Sequence, residues 1–519
     1  MSWIGAKCVA QSPHCAILSA RCEVHGAQCP TRARRAWRTL AIVALVSAAQ
    51  PLAAQPVRLH PANPHYFQFR GRPTILVTSG EHYGAVLNPD FDQRTYLRTL
   101  ARDGLNYTRI FTGSYFEPKG AFGITRNTLA PEGSRALIPW ARSGTPGYAG
   151  GGNRFDLRQW DTTYFRRLRE FVRLADEQGI VVEVTLFSSI YGDAQWRINP
   201  LNRANNVNGT DSIPLQRVHT LDNGNLWAHQ ERLVRKIVRE LNAYDNVIFE
   251  IQNEPWADNH TLAGPINHYL PKWEEEWRNR VELATEASLA WQRRIASVVR
   301  AEEAALPKRH LIAQNYGNFR FPLAAVDSAV SILNFHYASP EAVELNYGWD
   351  RVVGLDETGF AGADDATYRR QAWRFMLAGG GLFDHLDYSF TVERPDGTDR
   401  NEAPGGGSPA LRRQLGVLKR FVDGFDFVRM RPDRRVVARA PGAFREALVD
   451  AGRAYAIYLD GRMTGDLVLD VPAGAYEATW VDVLTGDVLA RTRVRHAGGR
   501  LTLAPPAYAQ DVALRLVAG

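Results

Sequence analysis

The stretch Asn246-Val-Ile-Phe-Glu-Ile-Gln-Asn-Glu-Pro-Trp256 decides the fold. Asp245-Asn246 is a turn signal, and Val247-Ile248-Phe249 reads as a buried strand. Pro255 cannot donate to a sheet ladder, so the strand is expected to stop before it. Side chains alternate along a strand, which puts Glu250, Gln252 and Glu254 on one face. Three polar groups on one face of an apolar strand are costly unless they line a polar cavity. Glu254 then sits at the C-terminal tip, where a parallel barrel exposes its chemistry.

Further on, Val352-Val-Gly-Leu-Asp-Glu357 is a second short apolar run ending in a carboxylate, with room between the two for three strand–helix units. This ordered pair resembles the strand-four and strand-seven signatures of the clan A glycoside hydrolases, most of all family 5 and its relatives. The resemblance implies a (β/α)8 barrel in which Glu254 is the general acid/base and Glu357 the nucleophile. It also implies that Asn253 binds the sugar 2-hydroxyl. Two carboxyl groups ~5 Å apart cleave a glycosidic bond with retention, so a retaining β-glycosidase acting on a poly- or oligosaccharide is expected.

Other positions follow the same pattern. Arg109, in Leu105-Asn-Tyr-Thr-Arg-Ile110, resembles the clan's strand-two arginine, which implies a hydrogen bond that keeps Glu357 charged. Asn334-Phe-His336-Tyr337 resembles the strand-six His-x-Tyr element, although His336 and Tyr337 are adjacent here. His82 follows Glu81 where relatives grip a terminal sugar. Strand eight departs from the family. Where a tryptophan platform is common, this chain reads Asp384-His385-Leu386-Asp387-Tyr388, so either Tyr388 supplies the platform or the floor is polar, with Asp384 facing the sugar. Trp196 and Trp256 lie on loops at the catalytic face and either stack on sugars or pack a loop.

Working outward, strands and helices alternate from Pro73. Strands are expected at 74–78, 105–111, 180–187, 246–254, 310–314, 332–336, 352–356 and 381–388, with helices between them. A long Gly/Pro-rich loop, 113–152, suggests a cleft wall, and a second long loop, 188–225, is rich in Asn and carries Trp196. An insertion carrying Trp273 and Trp277 follows Trp256, and Glu274-Glu275-Glu276 reads as a solvated face. From about Arg434 helical periodicity gives way to short alternating runs punctuated by glycine, the pattern of a small antiparallel β-sandwich domain. The expected organisation is therefore α/β: a catalytic barrel over 55–433 and an accessory sandwich over 434–519, stabilising the barrel or binding sugar.

The first 54 residues read differently. They carry six basic side chains and one acidic, five of the seven net positive charges, so the remainder makes no electrostatic case for nucleic acid. A basic patch from Arg32 to Arg38, an apolar run from Leu40 to Ala49 and small residues at Leu52-Ala53-Ala54 read as a secretory signal, giving a secreted or periplasmic protein. The apolar run is too short for a permanent membrane anchor. All four cysteines, Cys8, Cys15, Cys22 and Cys29, recur at intervals of seven ahead of that signal. Zinc ligands normally pair two to four apart. A helical thiol stripe is one reading; a stretch preceding the true translation start is the other.

No metal or organic cofactor is expected, because Gly150-Gly151-Gly152 lacks the Lys-Ser/Thr of a phosphate loop and no His-x-x-x-His cluster occurs. The partner is a carbohydrate. A transglycosylase using the same residues, and a carbohydrate-binding barrel that has lost catalysis, are the competing readings.

Overall fold

The structure is a computed structural model and describes residues 55–519; the expected signal segment and all four cysteines lie outside the described residues. Eight parallel strands form the barrel: β1 (Leu76–Gly80), β2 (Tyr107–Phe111), β3 (Val181–Ser188), β4 (Val247–Asn253), β5 (Leu311–Asn318), β6 (Ile332–His336), β7 (Val352–Glu357) and β8 (Leu382–Leu386). The ladder runs β1-β8-β7-β6-β5-β4-β3-β2. The seam between β1 and β2 is drawn together by a side chain. Asn106 accepts from the Val77 amide at 3.0 Å and donates to the Ile75 carbonyl at 2.8 Å, satisfying edge groups that the ladder leaves open.

Amphipathic helices cover the outside: α1 (Gln93–Arg102), α2 (Thr162–Glu177), α3 (Leu226–Leu241), α4 (Glu286–Glu303), α5 (Pro340–Asn346), α6 (Asp365–Leu377) and α7 (Pro409–Asp423). Asp92, Asp161, Thr285, Asp364 and Ser408 cap five of them by accepting first-turn amides, as short polar side chains do. Eight regular units were expected, but the fifth departs from that. Among the described residues no helix joins β5 to β6, and the connection over 319–331 is irregular.

The barrel interior is layered. At the bottom, residues from the N-terminal ends of all eight strands, among them Leu76, Tyr107, Ile248 and Val352, form one apolar cluster. A three-stranded antiparallel sheet over 58–74, unforeseen from the sequence, plugs this end with Val57, Phe67 and Phe69. The middle layer is polar. There Arg109, Glu183, Glu250, Asp356, Asn315 and Asn334 are almost wholly buried. Buried charge is tolerable only when paired and hydrogen-bonded, and this layer meets that condition, as described below.

Beyond the barrel, a six-stranded antiparallel sheet (Arg431–Pro432, Phe444–Asp450, Ala454–Asp460, Gly474–Asp482, Val488–His496 and Asp511–Ala518) faces a three-stranded one (Val437–Arg439, Leu467–Asp470 and Arg500–Leu503). Val437, Ile457, Leu469, Trp480, Leu501 and Leu514 fill the space between them. The outer face of the larger sheet packs on the barrel. Leu448, Ala456, Tyr458 and Ala513 belong to the barrel's own hydrophobic cluster. Trp373 of α6 stacks on Tyr458 at 5.3 Å, and Arg369 of the same helix pairs with buried Asp511 at 2.7 Å. No helix among the described residues is long and apolar enough to cross a membrane.

Candidate active site

The site grows out of the polar layer. Arg109 projects from β2 and is fully buried; its Nε and Nη2 donate to both carboxylate oxygens of Glu250 at 2.7 and 2.6 Å. Nη2 also donates to Asn253 Oδ1 at 2.7 Å, and Nη1 reaches Glu357 Oε2 at 3.3 Å. Asn315 donates to Glu250 and Asp356, and Asn334 to Glu183 and Asp356, at 2.6–3.0 Å. Burial, with the charges of Glu250 and Asp356, pushes the Glu183 carboxyl far above the usual carboxylate range. Burial also raises Glu250 against the opposing charge of Arg109.

One expectation is corrected here and one is extended. Strand alternation placed Gln252 beside Glu250 and Glu254. Instead its amide turns to Ser189, His219 and Asp258, while Asn253 joins Glu250 on Arg109. The backbone leaves strand geometry at the next residue: Glu254 adopts φ 45°, ψ 54°, so a period of two no longer sets its direction. Arg109 does touch Glu357, but its two-pronged contact goes to Glu250.

Above this layer the two glutamates face each other. Ligating atoms of Glu254, His336 and Glu357 all lie within 4.8 Å of one another. Tyr337 Oη donates to Glu357 Oε1 at 2.9 Å and lies 3.4 Å from Glu254 Oε1. Tyr83 Oη donates to the other Glu357 oxygen at 2.8 Å. Glu254 is held by Tyr191 Oη at 2.7 Å and His336 Nδ1 at 3.0 Å. Tyr83, Glu254 and Tyr337 all have positive φ, a conformation that costs a non-glycine residue ~1–3 kcal/mol. All three direct a polar group at the same few ångströms.

The electrostatics of the two central groups diverge from their ordinary values. Burial pushes Glu357 up, but the charge and hydrogen bond of His336, the charge of Arg109 and the Tyr83 hydroxyl outweigh it and hold the carboxyl well below the usual range. Burial pushes His336 down, yet the negative charges of Glu357 and Asp356 and its bonds to Asp356 and Glu254 raise it well above the usual imidazole value. An ionised Glu357 beside a cationic His336 is the state this geometry favours.

The glutamates open into a cavity of about 250 Å³. Tyr83, Phe111, Tyr191, Trp256 and Tyr337 line it, and Phe122, Trp277 and Phe360 stand around its mouth. Polar groups enter from Asn253, His82 and Glu117 on one side and from Glu282 and Asn318 on the other. Trp277 and Glu282 come from the insertion after β4, which forms an antiparallel hairpin (His260–Pro265 with Arg280–Ala284) pairing onto β5 at Leu283 and Gly317.

Among the residues singled out from sequence, Glu254, Glu357, Asn253, Tyr337, His82 and Trp256 line the cavity, and His336 and Arg109 support it from below. Trp256 is only 2% exposed and sets its ring edge-on to His336 at 5.2 Å. Three residues lie elsewhere. Trp196 sits on a short helix (Asp193–Ile198) and packs against the core. Asp384 is buried in the barrel, where burial pushes its carboxyl far above the usual range. Tyr388 is buried between His82 and Phe360, with ring centroids 5.8 and 6.5 Å away, and does not line the cavity. Sequence reasoning passed over Tyr83, Glu117, Tyr191, Phe122, Phe360 and Glu282. Only Tyr83 carried a signal, its place directly after Glu81-His82 at a strand tip.

Two constellations bring three ligating atoms within metal-binding reach: Glu254, His336 and Glu357, and Glu183, Glu250 and Asp356. Most of their ligating atoms are already hydrogen-bonded, although His336 Nε2 and Asp356 Oδ1 are not. His336 bonds Glu254 in the first, and Arg109, Asn315 and Asn334 occupy the carboxylates of the second.

The family profile described as Cellulase (glycosyl hydrolase family 5) matches residues 76–332, which span β1 to β6. Among solved structures, a family 5 glycoside hydrolase from Bacteroides vulgatus superposes with a TM-score of 0.57 at 12% identity, over 90% of this chain and 94% of its own. A second protein from that organism, assigned to the glycoside hydrolases, gives 0.61 at 13% identity over 90% and 83%. At this identity the likeness shows the fold, and its extent takes in more than the barrel. No protein of curated function matches the sequence.

Proposed function

From the premise that this chain is a glycoside hydrolase with a clan A, family 5-like barrel, we propose that it cleaves β-glycosidic bonds with net retention, through Glu357 as nucleophile and Glu254 as acid/base. The observation that carries this reading is the close approach of Glu254 and Glu357, whose oxygens lie within 4.8 Å with one tyrosine hydroxyl between them. Inverting enzymes need a gap of about 6.5–9.5 Å to hold a water between the carboxyl groups. A closest approach within 4.8 Å supports the retaining spacing of ~5 Å over the inverting one.

In the first step Glu357 attacks the anomeric carbon as the bond to the leaving oxygen breaks, and Glu254 gives that oxygen its proton. The product is a glycosyl ester on Glu357. Its formation removes the negative charge that His336, Arg109, Tyr83 and Tyr337 held in place. Glu254, now a carboxylate, takes a proton from an incoming water, whose oxygen attacks the same carbon and releases Glu357. Two inversions give retention. Asn253, oriented by Arg109 and hydrogen-bonded to Tyr191 at 2.7 Å, supports the sugar beside the reacting carbon.

Proton NMR of the anomeric signal in the first minutes of hydrolysis of an aryl β-glycoside tests the reading. The β-anomer is expected first, with the α-anomer growing only by mutarotation; an α-anomer formed first refutes it.

A further inference from the structure

We infer that the cavity is blind on the side away from Glu254, and that the enzyme removes a single sugar from the non-reducing end of its substrate, with Glu117 and His82 gripping that sugar's outer hydroxyls. The inference rests on the catalytic assignment above and extends it to the mode of attack.

The glycosidic bond sets the direction. Glu254 protonates the leaving oxygen, so the leaving group lies on its side, where Trp256, Trp277, Glu282 and Asn318 line the cavity. The retained sugar extends the other way, past the Glu357 oxygen that Tyr83 bonds, towards the tips of β1 and β2. A substrate chain continuing beyond that sugar needs an open groove there.

The groove is shut by two loops. The loop after β2 and the loop after β8 meet above β1 and are stitched together. The Thr125 amide donates to the Glu402 carbonyl at 3.1 Å, and the Arg126 amide to Asn401 Oδ1 at 3.1 Å. Asn401 Nδ2 returns a bond to the Arg126 carbonyl at 3.2 Å, and Arg126 Nε pairs with Asp399 at 2.7 Å. Behind this seam Thr128 Oγ1 donates to Glu81, whose other contacts are the Gly84 and Ala85 amides at the end of β1. The cavity of about 250 Å³ is smaller than the ~300–1,000 Å³ usual for ligand sites.

The inner face of the closed end carries a hydrogen-bonded pair, Glu117 and His82. Glu117 is 4% exposed and lines the cavity. It accepts from Asn127, from Tyr115 at 3.4 Å and from His82 Nε2 at 3.3 Å. His82 Nδ1 is buried without a partner. A carboxylate acceptor beside a free imidazole nitrogen suits two neighbouring hydroxyls, and the pair lies too deep to be a solvated surface contact.

The test uses the full chain on a panel of β-linked pentasaccharides with glucan, mannan, galactan and xylan backbones, each carrying a fluorophore at its reducing end. The first labelled product is expected to be the tetrasaccharide, together with an equal amount of free monosaccharide. A shorter labelled product appearing first overturns the blind end. Glu117→Gln keeps the side chain's size and is expected to lower kcat/KM on the tetrasaccharide-forming step by roughly tenfold to a hundredfold, the usual scale for losing a charge-assisted hydrogen bond. A folded Glu117→Gln protein with unchanged kcat/KM overturns the grip, and if that variant does not fold, the wild-type product order decides. Cleavage at internal bonds sinks this inference alone, whereas no cleavage of any pentasaccharide or aryl β-glycoside sinks the hydrolase reading beneath it.

Discussion

Arg109 spends its two-pronged contact on Glu250, at 2.6 and 2.7 Å, and touches Glu357 with one remaining nitrogen at 3.3 Å. The arginine therefore anchors the floor of the site first and tunes the nucleophile second. Lysine cannot reproduce a planar fork. Arg109→Lys should cost activity through displacement of Asn253 as well as Glu357, on the order of a hundredfold in kcat/KM. Arg109→Met leaves Glu250 buried without its cation and should cost about 3–5 kcal/mol of stability. Urea midpoints for both variants, with kinetics for Arg109→Lys, check this. Near wild-type stability in Arg109→Met would show that the polar layer is held by its asparagines instead.

The roles of the two glutamates separate by stereochemistry. Glu357→Gly leaves space on the nucleophile's face, so azide should restore turnover and give a glycosyl azide of inverted configuration. In Glu254→Ala, substrates with good leaving groups should still form the ester, and azide should speed its breakdown with retained configuration. Loss of a positioned general acid costs ~10²–10⁴-fold. Product configuration read by NMR decides the assignment, and the same configuration from both variants would contradict it.

The pairing of His336 and Glu357 has a pH signature. Glu357 is depressed in the folded state, so its stabilising contribution is present above the ordinary carboxylate range and is lost as pH falls through its folded value. His336 is raised, so its contribution is full below the ordinary imidazole value and is lost as pH climbs through its folded value. Both act together between about pH 4.5 and 6.5. His336→Gln should remove this window from a plot of unfolding free energy against pH. It should also move the acid limb of kcat/KM to higher pH, because Glu357 loses the cation that holds its carboxyl down. An acid limb that stays in place would assign the depression of Glu357 to Arg109.

The two-sheet domain is expected to matter for folding and not for chemistry. Arg369, almost wholly buried, pairs with Asp511 across the junction with α6. Arg369→Ala should destabilise the whole protein by about 3–5 kcal/mol while leaving kcat on a small aryl glycoside unchanged at a temperature where it is folded. A folded variant with depressed kcat would give this domain a part in the reaction.

The leader expected over 32–54 predicts a mature N-terminus near Gln50 or Gln55. N-terminal sequencing of protein from its native host checks this, and recovery of residues 1–30 would contradict it.

Much of the barrel could be read directly from the chain, since a buried parallel strand needs a short apolar run and an amphipathic helix needs its own period, and both are local. Glu254 and Glu357 stood out because each closes such a run with a carboxylate that an apolar strand has no other reason to carry. The short alternating runs after Arg434 form strands for the same reason. What the chain could not show is which groups meet across the barrel. Glu250 became Arg109's main partner and Gln252 turned to Ser189, His219 and Asp258, because those partners come from other segments of the chain, and no period of two extends through the left-handed Glu254 at the tip of β4. Trp196 read either as a sugar platform or as loop packing, and it packs against the core, since loop direction is set by what the loop docks against. The seam of Arg126, Asp399 and Asn401 joins residues about 275 positions apart, and their short polar loops carry no mark of each other. The sequence by itself determined the eight barrel strands and the two glutamates at their tips, because those are matters of local burial. Only the tertiary structure decided the partners, the charges and the closed end of the cavity, because these depend on distances between chain segments that no local pattern records.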